Sequence, residues 1–159
     1  MSLHRAQVVW KLETSEKAFA SGHYERAHTL IFAEGRRRVP GSASPSVVPP
    51  PFSLADALDP EAAFTGALSA CHMLWLLDLA RRDGFVVVAY DDEAEGVLGP
   101  DGQGRMCMTR VTLRPRIRWG GARHPTAEEV EDLHFRAHEQ CFIANSVKTA
   151  IVVDSRPTD

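Results

Sequence analysis

The stretch Asp59–Gly84, DPEAAFTGALSACHMLWLLDLARRDG, decides how the rest of the 159-residue chain is read. Asp59 suits a helix N-cap, and Pro60 suits the first helical position, where no amide hydrogen is needed. Glu61 complements the positive end of the helix dipole. The helix then runs through Arg81 or Arg82 and stops near Gly84, a residue suited to a helix C-terminus. Ala63, Phe64, Ala67, Leu68, Cys71, Leu74, Trp75 and Asp78 follow the 3-4 spacing of one face. Ala62, Ala70, Met73, Leu76 and Leu77 fill much of the opposite side. A helix that is apolar nearly all round belongs inside a molecule. In a chain this small it is expected to pack on a sheet and on a second helix or a second subunit.

The totals narrow the class. Apolar residues make up 44% and charged residues 25%, with a formal net charge of -3. This is the balance of a water-soluble domain, with no basic excess to suggest a nucleic-acid partner. The apolar run around Cys71 is interrupted by Asp78, Arg81 and Arg82, which makes it too short to span a bilayer, so no membrane insertion is expected. The N-terminus MSLHRAQVVW lacks the long apolar core of a secretory signal. Three cysteines do not make a disulfide framework. A cytoplasmic location is expected, where thiols serve as ligands, nucleophiles or redox centres.

Working outward, AQVVWKLE (6–13) alternates like a half-buried strand, and YERAHTLIFAEG (24–35) alternates again, placing Tyr24, Arg26, His28, Leu30 and Phe32 on one face. The two read as a long hairpin joined by TSEKAFASGH. Residues 36–58 form a Pro/Ser-rich loop. The segment RRRVPGSASPSVVPPPFSLADALDP holds six of the ten prolines and no sustained period. FVVVAYDDEAEGVL (85–98) and RMCMTRVTLRPRIRW (105–119) are strand runs around the turn GPDGQG. Cys107 shares a face with Val111 and Leu113, so a core position is expected for it. A second helix covers HPTAEEVEDLHFRAHEQC, opened by a Thr126–Glu129 capping box. TAIVVD (149–154) closes the fold as a strand, and residues 155–159 read as a frayed tail. The order is ββ-loop-α-ββ-α-β: a single α+β domain over residues 1–159, an antiparallel sheet with two main helices segregated on one face.

Three constellations carry possible chemistry. The first is Cys71 with Cys141, one in each main helix. An unperturbed thiol is only about 3% thiolate at pH 7, whereas a pKa near 6 makes it roughly 90% thiolate. A thiolate attacks peroxides, and the resulting sulfenic acid is best captured by a second thiol within disulfide reach. Two unrelated core cysteines remain the alternative. The second is Arg26, which a carboxylate such as Glu61 would satisfy, leaving a cation to stabilise a thiolate. Glu61 lies ten residues before Cys71, about 15 Å along a straight helix, so it cannot touch that thiol within one helix. The third is His134, His138 and Cys141 at i, i+4, i+7, a possible zinc half-site with Cys71 or His72. It lacks the glutamate of an HExxH motif and any CxxC, so no resident metal is expected. His72 points about 100° away from Cys71 around the helix and reads as a structural neighbour.

DPEAAFTGALSACHMLWLL resembles the Pro-Glu…Cys helix of the OsmC/Ohr family, the osmotically inducible and organic-hydroperoxide-resistance proteins. HEQCFIANSVKTAI resembles that family's second cysteine signature. The order of elements fits as well, so the resemblance spans nearly the whole chain. It implies an intertwined homodimer with active sites at the subunit interface and thiol-dependent reduction of organic hydroperoxides. Cys71 would be the peroxidatic thiol, Cys141 the resolving thiol, and Glu61 would orient the activating arginine. No arginine precedes Glu61 in VVPPPFSLADALDP, so Arg26 is the counterpart the hairpin offers. His28, Phe64, Leu68 and Trp75 would line the substrate pocket. The family resemblance implies no bound cofactor, only an external dithiol reductant, lipoyl in one branch. A non-catalytic protein binding a small ligand or metal on the same scaffold is the competing expectation.

Overall fold

The computed structural model describes residues 1–155 of the chain. They form two compact units, Met1–Ala63 and Phe64 onward. The expected tail at 155–159 lies, apart from Ser155, outside the described residues.

In the first unit, β1 (Gln7–Val9), β2 (His28–Phe32) and β3 (Arg37–Gly41) make an antiparallel sheet in the order β1-β2-β3. The connection between β1 and β2 contains a short helix, α1 (Glu16–Ala20), capped by the Ser15 hydroxyl, which accepts from the Ala18 amide at 3.2 Å. Trp10, Phe19 and Tyr24 gather over this connection, the Phe19 and Tyr24 rings 4.5 Å apart. Two expectations change. The Pro/Ser-rich segment begins with a strand, β3, and Arg37 and Arg38 are strand residues rather than part of a loop. The turn before β3 is made by Ala33 and Glu34 at positive φ (51° and 55°) followed by Gly35. Ala and Glu are not residues that announce such a turn. The buried residue of β2 is Ile31, while Phe32 on the opposite face is exposed. The remainder of the segment is tied down locally: the Leu58 amide donates to the Pro40 carbonyl at 3.0 Å, and the Leu54 amide donates to the buried Ser42 hydroxyl at 3.0 Å.

The long helix α2 spans Pro60–Arg82, 23 residues. Asp59 caps it, accepting from the Ala62 amide at 2.8 Å, and Gly84 follows its end at φ 80°. By length and composition α2 is apolar enough to cross a membrane, against the expectation that its apolar run is too short. The Ala-rich first turns extend the run beyond what its centre suggests. Here α2 is a core helix, burying Thr65, Leu68, His72, Leu76, Leu79 and Ala80. That stripe is set by a face offset from the one through Cys71 and Leu74, and Leu74 is exposed.

Two strand runs pair with one another beneath α2. β4 (Val86–Asp92) pairs antiparallel with β7 (Pro115–Gly120), and β5 (Glu95–Pro100) pairs antiparallel with β6 (Met106–Leu113). Each sequence run is therefore two strands, divided at Glu93–Ala94 and at Arg114. The Asp92 carboxylate holds the bend by accepting the Arg114 amide at 2.6 Å and the Ser69 hydroxyl. Gly96 permits α2 to lie close on β5: a Cβ there would stand 2.3 Å from Thr65 Oγ1. Helix α3 (Ala127–Gln140) opens with the Thr126–Glu129 capping box in full. The closing strand β8 (Ala150–Val153) runs parallel to β6, so this sheet is mixed rather than purely antiparallel. A chain that leaves the sheet through a helix can return alongside an earlier strand in the same direction. One core joins Leu76, Leu79 and Ala80 of α2 to Leu133 and Ala137 of α3, with Phe85 and Ile117 below. A second joins Leu68 to Val111 and Leu113. Cys107 is not in it; it is half-buried.

Candidate active site at the helix seam

Cys71 and Cys141 meet where α2 faces the end of α3. Cys141 is the C-cap of α3, its amide donating to the His138 carbonyl at 3.1 Å. Both cysteines are free, and their thiols are close enough that each acts on the other's ionisation. Their environments differ. Cys141 is sealed, while Cys71 is half-buried. Burial, with the neighbouring Cys71 second, pushes the Cys141 thiol up to about 11, although its sulfur accepts the Ala144 amide at 3.4 Å. An ionised sulfur is poorly solvated there, so Cys141 is held as the neutral thiol.

Cys71 opens onto a cavity of about 300 Å³ lined with Leu74, Trp75, Asp78 and Phe142. Trp75 and Phe142 meet edge to face, ring centroids 5.4 Å apart. The walls are apolar except for Asp78, whose carboxylate is turned to Arg81 and Arg82. A hydrogen bond from Arg81 is the main cause holding that carboxyl below the usual range. The site can therefore present one accessible sulfur to an apolar molecule and hold a second sulfur in reserve behind it.

The other residues expected at the site are placed as follows. Trp75 lines the Cys71 cavity. Leu68 is sealed against Val111 and Leu113, which makes it core rather than lining. Phe64 packs beside that core and lines a different cavity, with Cys107 and Met108. In the first unit, Arg26 donates to the backbone carbonyls of Gly22 and Tyr24, and its guanidinium lies 3.7 Å over the Tyr24 ring. His28 Nδ1 is 2.8 Å from the Arg26 carbonyl oxygen. Glu61 stands half-buried in the first turn of α2. Among the described residues, no three His, Cys, Asp or Glu side chains converge as a metal-binding group. The zinc reading of His134, His138 and Cys141 is not assembled: His134 is hydrogen-bonded to His72, and the Cys141 sulfur accepts from the Ala144 amide.

The His72–His134 pair escapes a reading of spacing alone. His72 Nε2 and His134 Nδ1 are 3.0 Å apart, and the rings are 7° from coplanar. The two residues are 1% and 4% exposed. Burial, aided by His134 and then His138, lowers His72 to about 4. Burial also lowers His134 to about 4, against the attraction of Asp92. Both rings are neutral at pH 7, so one donates and the other accepts. Their outer nitrogens, His72 Nδ1 and His134 Nε2, are buried with no partner among the described residues, as is the Tyr90 hydroxyl. The available signal was that His72 falls on the 68-72-76 stripe, which here is the buried face.

Residues 53–156 match the family model for OsmC-like protein, well over half of the chain. Among solved structures, an OsmC-like protein of unknown function from Vibrio cholerae is 44% identical over 98% of this chain and 100% of its own, with a TM-score of 0.93. An organic hydroperoxide resistance protein from Elizabethkingia anophelis covers 100% of this chain and 97% of its own at 18% identity and a TM-score of 0.71. One from Bacillus subtilis covers 99% and 100% at 18% identity and a TM-score of 0.64. At such identities the last two show a shared fold. No curated protein matches the chain. The family model and the 44% identical structure agree over both cysteine-bearing helices, and the chain belongs to the OsmC-like family.

Proposed function

We propose that the protein is a thiol-dependent peroxidase that reduces organic hydroperoxides to alcohols. The observation that carries this reading is the contact of Cys71 and Cys141 beside an apolar cavity. Their unequal exposure supports this division of roles. Cys71 reaches the cavity, so its thiolate attacks the outer peroxide oxygen. The O–O bond breaks, the alkoxide takes a proton and leaves as alcohol, and Cys71 becomes a sulfenic acid. With a pKa of about 11, Cys141 is ionised to only about one part in ten thousand at pH 7. It is therefore a poor first nucleophile and a suitable resolving thiol. Its sulfur attacks the Cys71 sulfur, hydroxide leaves as water with the thiol's proton, and a Cys71–Cys141 disulfide forms. An external dithiol, a lipoyl group being one such reductant, opens it by exchange through a mixed disulfide.

Hydroperoxide resistance in the names of the Elizabethkingia and Bacillus structures supports the substrate class. Exposed Leu74 and Phe142 beside the cavity support a homodimer whose second subunit completes its wall. This reading also calls for an activating cation, and Arg26, with Glu61 as its carboxylate, is the candidate that the sequence offers.

Thiol titration before and after cumene hydroperoxide tests the reading. Loss of two thiols per chain in wild type, abolished in Cys71→Ser, is expected. Equal peroxide consumption by wild type and Cys71→Ser would overturn it.

A further inference from the structure

The seam between α2 and α3 holds two kinds of cross-helix contact. Apolar contact between Leu76, Leu79, Ala80 and Leu133, Ala137 is non-directional and tolerates sliding. The His72–His134 hydrogen bond is directional: it needs one nitrogen facing another near 3.0 Å with the rings nearly coplanar. Each histidine shares its helix with one of the two thiols. His72 is the neighbour of Cys71, and His134 lies two turns before Cys141. A shift of either helix that parted the rings would leave four buried ring nitrogens without partners instead of two.

The pair is poorly suited to other roles. It is neutral, so it places no cation beside the thiols. Its nearest titratable neighbours, His138 on α3 and Asp92 at the strand bend, do not complete a metal-binding group with it. Two nitrogens left unpaired in a core make it an inefficient way to gain stability, yet a single buried polar pair is an effective way to select one alignment of two helices.

We propose that the His72–His134 hydrogen bond is a positioning device that sets the register of α2 against α3 and so holds Cys141 against Cys71. This rests on the disulfide chemistry proposed above and assigns a pair of residues outside the reacting atoms to it. Without the pair the helices still associate, but the two sulfurs spend less time within bonding distance, and their effective concentration for one another falls.

The test uses the intact chain in a Cys107→Ser background, equilibrated with reduced and oxidised glutathione at pH 7. The two thiols lose two electrons and two protons to glutathione disulfide, which becomes two glutathione thiols, so no peroxide is involved. The equilibrium constant for the Cys71–Cys141 disulfide is read by alkylation and mass spectrometry, alongside the melting temperature. The double variant His72→Leu, His134→Leu is expected to melt at or above wild type while its disulfide constant falls about fivefold or more. The pair His72→Asn, His134→Asn can form a side-chain bond of its own and is expected to recover most of that loss relative to His72→Asn alone. If the leucine pair does not fold, the asparagine series decides by the same criterion. A folded leucine pair, or the single asparagine variant in its stead, with a disulfide constant less than about twofold from wild type overturns the inference. Smaller constants that track lower melting temperatures overturn it as well. Failure of wild type itself to form the disulfide would instead sink the peroxidase reading together with this one.

Discussion

Cys71 and Cys141 are neighbours, yet Cys71 lines a cavity while Cys141 is 1% exposed. Alkylation by iodoacetamide at pH 7.5 should therefore separate them. Reaction follows thiolate fraction and access, and Cys141 lacks both. Cys71 and the half-buried Cys107 are expected to be labelled first, with Cys141 at least about tenfold slower in peptide mapping. Labelling of Cys141 as fast as Cys71 would remove the basis for their roles.

Acid should destabilise the second unit through the histidine pair. His72 and His134 have folded values near 4, below the unfolded value of 6.5. The unfolded chain thus binds protons first as pH falls. Stability from this source is complete above about pH 6.5 and declines down to about pH 4. Between pH 7 and pH 5 the loss is about 2 kcal/mol per histidine, less than double for the pair because the rings interact. Urea midpoints should drop over that window in wild type and drop less in His72→Leu, His134→Leu.

Gly96 is expected to tolerate no side chain at wild-type stability. An added Cβ would stand 2.3 Å from Thr65 Oγ1 and 2.5 Å from Met108 Cε. The methionine end can swing aside; the threonine is buried on a rigid helix. Gly96→Ala should cost about 1–3 kcal/mol in denaturant unfolding. Adding Thr65→Ala should recover part of the loss, and strict additivity of the two would contradict the contact.

The β2–β3 turn holds strain that glycine relieves. Ala33 sits at φ 51° with Cβ crowding the backbone. Ala33→Gly should raise stability by about 0.5–1 kcal/mol, partly offset by the freer unfolded chain. A thermal melt of the intact protein reads the sign.

These residues also show where the sequence was readable. Asp59, Gly84 and the Thr126–Glu129 box act through backbone groups within four residues of themselves, so local spacing located both main helices. The Pro-Glu…Cys helix and the second cysteine motif located the thiol pair. The buried face of α2 was harder, because a helix apolar on all sides carries no stripe, and its burial is chosen by what packs on it. His72–His134 joins residues 62 positions apart, and no local pattern encodes that. β3 was hidden because its turn uses Ala and Glu in a backbone region where glycine or asparagine is the usual signal. The division of the strand runs depends on the Asp92 carboxylate reaching the Arg114 amide, again a long-range event.

The parallel pairing of β6 with β8 has a consequence for the order of assembly. On the ribosome, β5 and β6 emerge as a hairpin soon after α2, and Cys71 is then already in place. Cys141 follows seventy residues behind Cys71, and β8, which pairs with the edge of β6, comes later still. At typical elongation rates that interval lasts several seconds. During it the nascent chain carries Cys71, and then Cys107, before Cys141 has been made, so an oxidising equivalent that reaches Cys71 in a newborn molecule cannot be resolved by Cys141.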